Sequence, residues 1–202
     1  IPYMIHFLSQ ANVSYKIFVV EQSNDGKKFN RGKLLNVGFK IAEAEGYTSF
    51  IYHDVDLLPN KELLQWYATY PRQPIHIARV WSRYNLNPNY CGGIISWNKD
   101  HFKQINGFPN NFWGWGGEDD EMMLRMKEVG LQMQAPNRGN IKDLEYMTLE
   151  QKLAFLKKQK DGDRDNKWKC MVKDELLKEH KKTWKDNGLS DLKYTKKEEE
   201  KI

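Results

Sequence analysis

The chain has 202 residues and a mass of 23.9 kDa, enough for one domain, or one domain with an appendage, and for a sizeable core. Its 40% hydrophobic and 13% aromatic content excludes a wholly disordered chain, while 29% charged residues and a mean hydropathy of -0.79 point to a polar appendage. Most of the excess behind the net charge of +5 lies beyond residue 137, where lysines alternate with acids, so a solvated helical surface is expected and no nucleic-acid partner.

Cys91 and Cys170 are the only cysteines and lack CxxC spacing, which excludes a disulfide framework and a zinc site and leaves free thiols. No apolar stretch approaches the roughly 20 residues that span a bilayer, and no charged segment precedes a signal-like core, so no membrane segment is expected in this chain. The chain opens on Ile and a mixed apolar run, and reads as a piece of a longer protein with other domains.

In chain order, residues 15–20 and 48–52 are β-branched and aromatic, as buried strands are. Between them Leu34, Leu35, Val37, Gly38, Ile41 and Ala42 give residues 31–45 a helical apolar face, with Gly46 as its stop. A strand, helix, strand unit predicts a mostly parallel central sheet. A helix over 61–68 follows Pro59, then strands over 75–80 and 93–97, with Pro71 and Pro74 marking the turn before the first of these. Residues 100–105 form a short helix and 118–129 a longer one, with Met122, Met123, Met126 and Val129 as a packing stripe ending at Gly130. Beyond Pro136 and Asn137 come Lys-rich helices over 148–158 and 172–184, a charged turn at 161–165, and a frayed tail from 195. The expected organisation is an α/β core over residues 1–137 with a helical C-terminal extension, 138–202, packed on it.

Asp54 and Asp56, at i and i+2, share one side of the chain where the strand before them ends, the edge at which open α/β sheets bind ligands. Their hard oxygens suit Mn2+ or Mg2+ bridging a diphosphate; a turn whose acids cap nearby amides is the structural alternative. His53 beside them is either a further ligand or a buried strand residue, and His180 is expected to be exposed on a helix. Glu118, Asp119, Asp120 and Glu121 open a helix, where the macrodipole favours acids. That does not explain Trp113 and Trp115 among Gly114, Gly116 and Gly117: two indoles on a permissive backbone make a platform for sugar C–H faces, and the adjoining acids can bind hydroxyls and accept a proton. Phe29, Asn30 and Arg31 precede the first helix; Arg31 suits a phosphate and Phe29 a base, or the pair forms a staple with an exposed Arg.

Taken together, FNRGKLLNVGF (29–39), DVD (54–56), GG (92–93) and NGFPNNFWGWGGEDD (106–120) resemble, in order and spacing, the β-1,4-galactosyltransferase family (glycosyltransferase family 7), with a weaker echo at NGLSDL (187–192). The resemblance implies a GT-A fold and inverting transfer of galactose from UDP-galactose to a glycan or glycoside hydroxyl, dependent on Mn2+, with Mg2+ as the alternative. By that resemblance Phe29, Asn30, Arg31, Asp54, Val55, Asp56, Tyr90 and Trp115 contact the donor. Gly117, Glu118, Asp119 and Asp120 contact the acceptor, Asp119 is the general base, and Asp56 is a metal ligand. A Tyr at position 90 resembles galactose users more than N-acetylgalactosamine users.

Three features depart from the family pattern. Its first strand is missing upstream of Tyr15, so the core reads as N-terminally truncated. Its metal-binding His has no counterpart in 138–149, where Glu145, with Asp143 behind it, is the nearest oxygen substitute. Two family cysteines appear as Ser49 and Ala68, which favours a cytosolic, microbial or viral setting over the Golgi lumen that the family implies. The first two departures also leave room for a non-catalytic carbohydrate-binding domain of the same fold.

Overall fold

The computed structural model describes residues 1–84, 87–158 and 168–200. Helix α1 (Pro2–Leu8) leads through a segment of turns and irregular chain to α2 (Arg31–Ala44), which Asn30 caps by accepting the Lys33 amide proton at 2.9 Å. Gly46, at φ +90°, turns the chain after α2 into β1 (Ser49–His53), and β2 (Leu57–Pro59) follows. A 3-10 turn at Lys61–Leu63 runs into α3 (Leu64–Ala68), and beyond it come β3 (Ile75–His76), β4 (Ile94–Asn98), α4 (Lys99–Gln104) and α5 (Glu118–Glu128). The chain continues through β5 (Ile141–Asp143), α6 (Leu149–Lys158), α7 (Lys173–Lys178) and α8 (His180–Thr183). Among the described residues no helix is long and apolar enough to cross a membrane.

The sheets correct the expectation of parallel pairing. One has the order β1-β4-β3 and the other is β2-β5, and every strand pair in them is antiparallel. The reason lies at residues 15–20: this run joins no ladder, and Tyr15, Ile17 and Val19 are exposed while Phe18 packs inward. Without that strand the strand, helix, strand unit does not close. Residues 75–80 also divide, into β3 and a 3-10 turn at Ile77–Val80, and the helix expected over 172–184 breaks at Glu179 into α7 and α8. The charged turn at 161–165 lies outside the described residues, and residues 193–200 are irregular and exposed, in line with a frayed tail.

Strand alternation builds two cores, one on each face of the three-stranded sheet. Phe50 and Tyr52 of β1 with Ile95 and Trp97 of β4 face Phe39, Phe102, Phe108, Met122 and Met126, while Ile94 and Ile75 face Phe7, Leu57, Leu63 and Tyr67. Phe39 and Phe102 are fully buried, each a contribution of about 1.5–3 kcal/mol. The methionines expected to pack do so.

Buried polar clamps hold the segment between α4 and α5 in place. Asn36 Nδ2 donates to the Phe108 carbonyl at 2.7 Å and to Asn110 Oδ1 at 2.9 Å, and Asn36 Oδ1 accepts from the Phe108 amide at 2.9 Å. Arg125, fully buried, donates to the carbonyls of Gly107 and Asn187 at 3.0 and 2.7 Å and pairs with Glu121 at 3.2 Å. Asn110 Nδ2 reaches the Gly188 carbonyl and Asp191 Oδ1, each at 2.7 Å. Residues 187–191 are thereby tied to the start of the tryptophan and acid string.

Candidate active site and metal centre

Arg31 opens α2 and points at two other elements. Its Nε donates to Asp54 Oδ1 at 2.8 Å, beyond the end of β1, and its Nη1 donates to Asp119 Oδ1 at 3.0 Å in the first turn of α5, with Glu118 Oε1 3.6 Å away. The two acidic clusters, far apart in sequence, thus meet on one guanidinium. Burial acts to lower the Arg31 pKa, but Asp54, Asp119 and Glu118 more than offset it, so the group stays charged. Three acids against one cation leave negative charge uncompensated. Burial and the neighbouring Asp119 push the Glu118 carboxyl up to about 7, and burial raises that of Asp119 against the opposing pull of Arg31.

Gly92 and Gly93 line the same spot. A Cβ on Gly92 would run into Asp119 Oδ2 and, at 2.9 Å, into the Tyr90 ring. His76 Nε2 donates to the Gly92 carbonyl at 2.9 Å, and burial lowers its pKa to about 4, so at neutral pH it is an uncharged peg under that turn. The Cys91 thiol donates to the Asp119 carbonyl at 3.1 Å; both cysteines are free, as expected. Tyr90 stacks on Tyr84 with centroids 3.6 Å apart. Sequence reasoning missed His76, Cys91 and Tyr84: each is a lone residue whose partner is set by the fold, and only the adjoining Gly-Gly pair signalled a close approach.

The β2-β5 register sets Asp143 opposite Leu57, and the Leu144 amide donates to the Asp56 carbonyl at 2.8 Å. Asp56, Asp143 and Glu145 consequently lie together, each offering a carboxylate oxygen within 4.8 Å of the others'. Burial, then Asp54, Asp143 and Glu145, raise the Asp56 pKa, and no cation pairs with that carboxylate among the described residues. A crowded, all-oxygen donor set with an uncompensated acid fits a hard divalent ion. Both oxygen substitutes expected from the sequence, Glu145 and Asp143, are there. His53 stands apart from the triad, its Nδ1 donating to the Asp54 carbonyl at 2.7 Å, with a pKa lowered by burial.

The remaining candidates fall into place around these groups. Trp115 is 37% exposed and pairs by backbone with Trp168 and Cys170, its amide donating to the Trp168 carbonyl at 2.6 Å. Gly114, at φ +94°, abuts the Lys169 backbone so closely that a Cβ would stand 2.6 Å from it. Asp120 pairs with Lys173 at 2.5 Å, and Gly117 begins α5 at φ +105°. Phe29 and Val55 are exposed. Asn30 is buried, its side chain accepting from the Lys33 amide in the α2 cap and donating to the Asn110 carbonyl at 2.8 Å. His180, expected on the surface, is buried with Nδ1 2.9 Å from Glu121 Oε1, because α8 docks against α5.

Residues 1–68 match the model of the N-terminal region of glycosyl transferase group 7, and residues 72–150 match that described as the N-terminal domain of galactosyltransferase. The crystal structure of the catalytic domain of Drosophila β1,4-galactosyltransferase 7 in complex with xylobiose is 33% identical, with a TM-score of 0.75 over 96% of this chain and 77% of that one. The chain belongs to the β-1,4-galactosyltransferase family. Its fold is the GT-A fold of these galactosyltransferase catalytic domains. A variant of the Drosophila enzyme in complex with manganese, UDP-Gal and xylobiose is 41% identical, with a TM-score of 0.62 over 68% of this chain and 57% of that one. Among family members, β-1,4-galactosyltransferase 7 of Drosophila melanogaster is 43% identical over 70% of this chain, and β-1,4-galactosyltransferase 3 of Homo sapiens 33% identical over 95%. The chain spans 43% and 46% of those two relatives' lengths.

Proposed function

We propose that this chain transfers galactose from UDP-galactose to a sugar hydroxyl with inversion, with Asp119 as general base and a divalent ion held by Asp56, Asp143 and Glu145. One observation carries the reading: Arg31 bonds Asp54 and Asp119 at once, so the acids of the donor strand and those of the tryptophan string share one cleft. Asp119 accepts the acceptor hydroxyl's proton as that oxygen attacks the anomeric carbon from the face opposite UDP. Burial strengthens the carboxylate as a base, and Arg31 keeps it ionised and aimed. Arg31 therefore acts on the base; its charge is already shared among three carboxylates and is not free for the leaving diphosphate. Bound Mn2+ supplies the charge that stabilises that diphosphate. Trp115 offers a stacking face for a sugar, and Tyr90 with the Gly92–Gly93 turn shapes the galactose side.

The test is incubation with UDP-galactose, Mn2+ and a panel of acceptors led by xylosides, since the Drosophila relative binds xylobiose. The expected result is a β-linked galactoside by NMR, lost on chelation. Absence of both transfer and donor hydrolysis with every acceptor contradicts the proposal.

A further inference from the structure

Arg83, in the 3-10 turn Ser82–Tyr84, sends its side chain into the acidic triad and is only 7% exposed there. Its Nη1 donates to Asp143 Oδ2 at 2.6 Å and its Nη2 lies 2.8 Å from Glu145 Oε2. The other oxygens of those two acids are also taken: Asp143 Oδ1 accepts from the Glu145 amide at 2.7 Å, and Glu145 Oε1 pairs with Lys152 Nζ at 3.0 Å. Asp56 alone of the three carboxylates has neither a cation nor a side-chain donor among the described residues.

A divalent ion needs these oxygens at about 2.0–2.6 Å, in the space that the guanidinium nitrogens now approach to hydrogen-bond distance. Charge argues the same way. Three carboxylates face two cations, Arg83 and Lys152; adding a divalent ion to that set leaves excess positive charge, whereas exchanging it for Arg83 leaves balance. Arg83 is the cation to leave, because it holds two of the carboxylates and Lys152 only one.

We propose that Arg83 is the resident counter-ion of the metal centre and that a divalent ion binds by exchange, taking Asp143 and Glu145 from the guanidinium. The inference rests on the metal centre proposed above and goes beyond it: the chain carries its own competitor, which sets metal affinity and excludes weakly held ions. The alternative is an outer support that orients the ligands, and it predicts the opposite sign.

Mn2+ alone, without nucleotide, is titrated into the whole chain and followed by the EPR signal of the free ion, for the parent, Arg83→Gln, Arg83→Met and Asp56→Ala. Circular dichroism checks that each variant is folded. Both Arg83 variants are expected to bind Mn2+ about tenfold more tightly than the parent, and Mn2+ to raise their melting temperature by more. Equal or weaker Mn2+ binding by folded Arg83 variants overturns the exchange. Mn2+ binding that survives Asp56→Ala unchanged, or is absent from every protein, overturns the metal centre itself and the exchange with it.

Discussion

Glu118 shares Arg31 with Asp54 and Asp119 and is the acid that gains least from it, standing 3.6 Å from Nη1 against 2.8 and 3.0 Å for the other two. Burial first, and then Asp119, raise its pKa from 4.5 to about 7 in the folded chain. A carboxyl with a raised folded pKa binds its proton more tightly folded than unfolded, so its contribution to stability is complete below pH about 4.5 and is lost as pH rises through about 7. Glu118→Gln, always neutral, is expected to match the parent near pH 4 and exceed it at pH 8 by about 1–3 kcal/mol. Thermal melts across that range check this, and parallel profiles for the two proteins would contradict it. At this scale the sequence conveyed chemistry but not partners. Asp56 stood out as a candidate from its pairing with Asp54 at a strand end, and Asp119 from its place beside tryptophans and glycines. That Arg31 bonds Asp54 and Asp119 at once, that Asn30 bonds the Asn110 carbonyl and that His180 is buried on Glu121 follow from contacts between distant residues, which no local pattern encodes.

The elements that carry the site range from strongly to weakly signalled. Helix α2 and helix α5 have apolar faces long enough to read, and both begin within a residue of expectation. Strands β2 and β5 have three residues each, too few for a period to show, yet their register is what delivers Asp143 and Glu145 to Asp56. Parallel pairing was the natural expectation from a strand, helix, strand pattern, and it fails because residues 15–20 find no ladder partner. Asparagines on separate elements act as clamps: Asn36 of α2 and Asn110 suspend the turn that presents the tryptophans and acids. Asn36→Ala strands the Phe108 amide and carbonyl in the core and is expected to cost about 2–3 kcal/mol. That corresponds to a melting temperature lower by roughly 4–12 °C. A melting temperature unchanged within a degree would show that the clamp carries no load.

Across the whole molecule, one of the two cores on the faces of the small sheet holds α2 and α5 together, and Arg31 and Asp119 meet between their first turns. The C-terminal residues take part as well: Asn187, Gly188 and Asp191 fasten Asn110, and Lys173 pairs with Asp120 beside Asp119. The sequence divides visibly in composition near residue 137, but this lacing across the division was not visible there. The central claim is that metal-dependent donor binding and proton removal are separate tasks of two acid clusters in one cleft, and Asp119→Asn tests it most directly. Its transfer rate and its UDP affinity in Mn2+ are measured on the same preparation. The account predicts transfer lower by about 10²–10⁴-fold with UDP affinity within about twofold of the parent; transfer at the parental rate would contradict it.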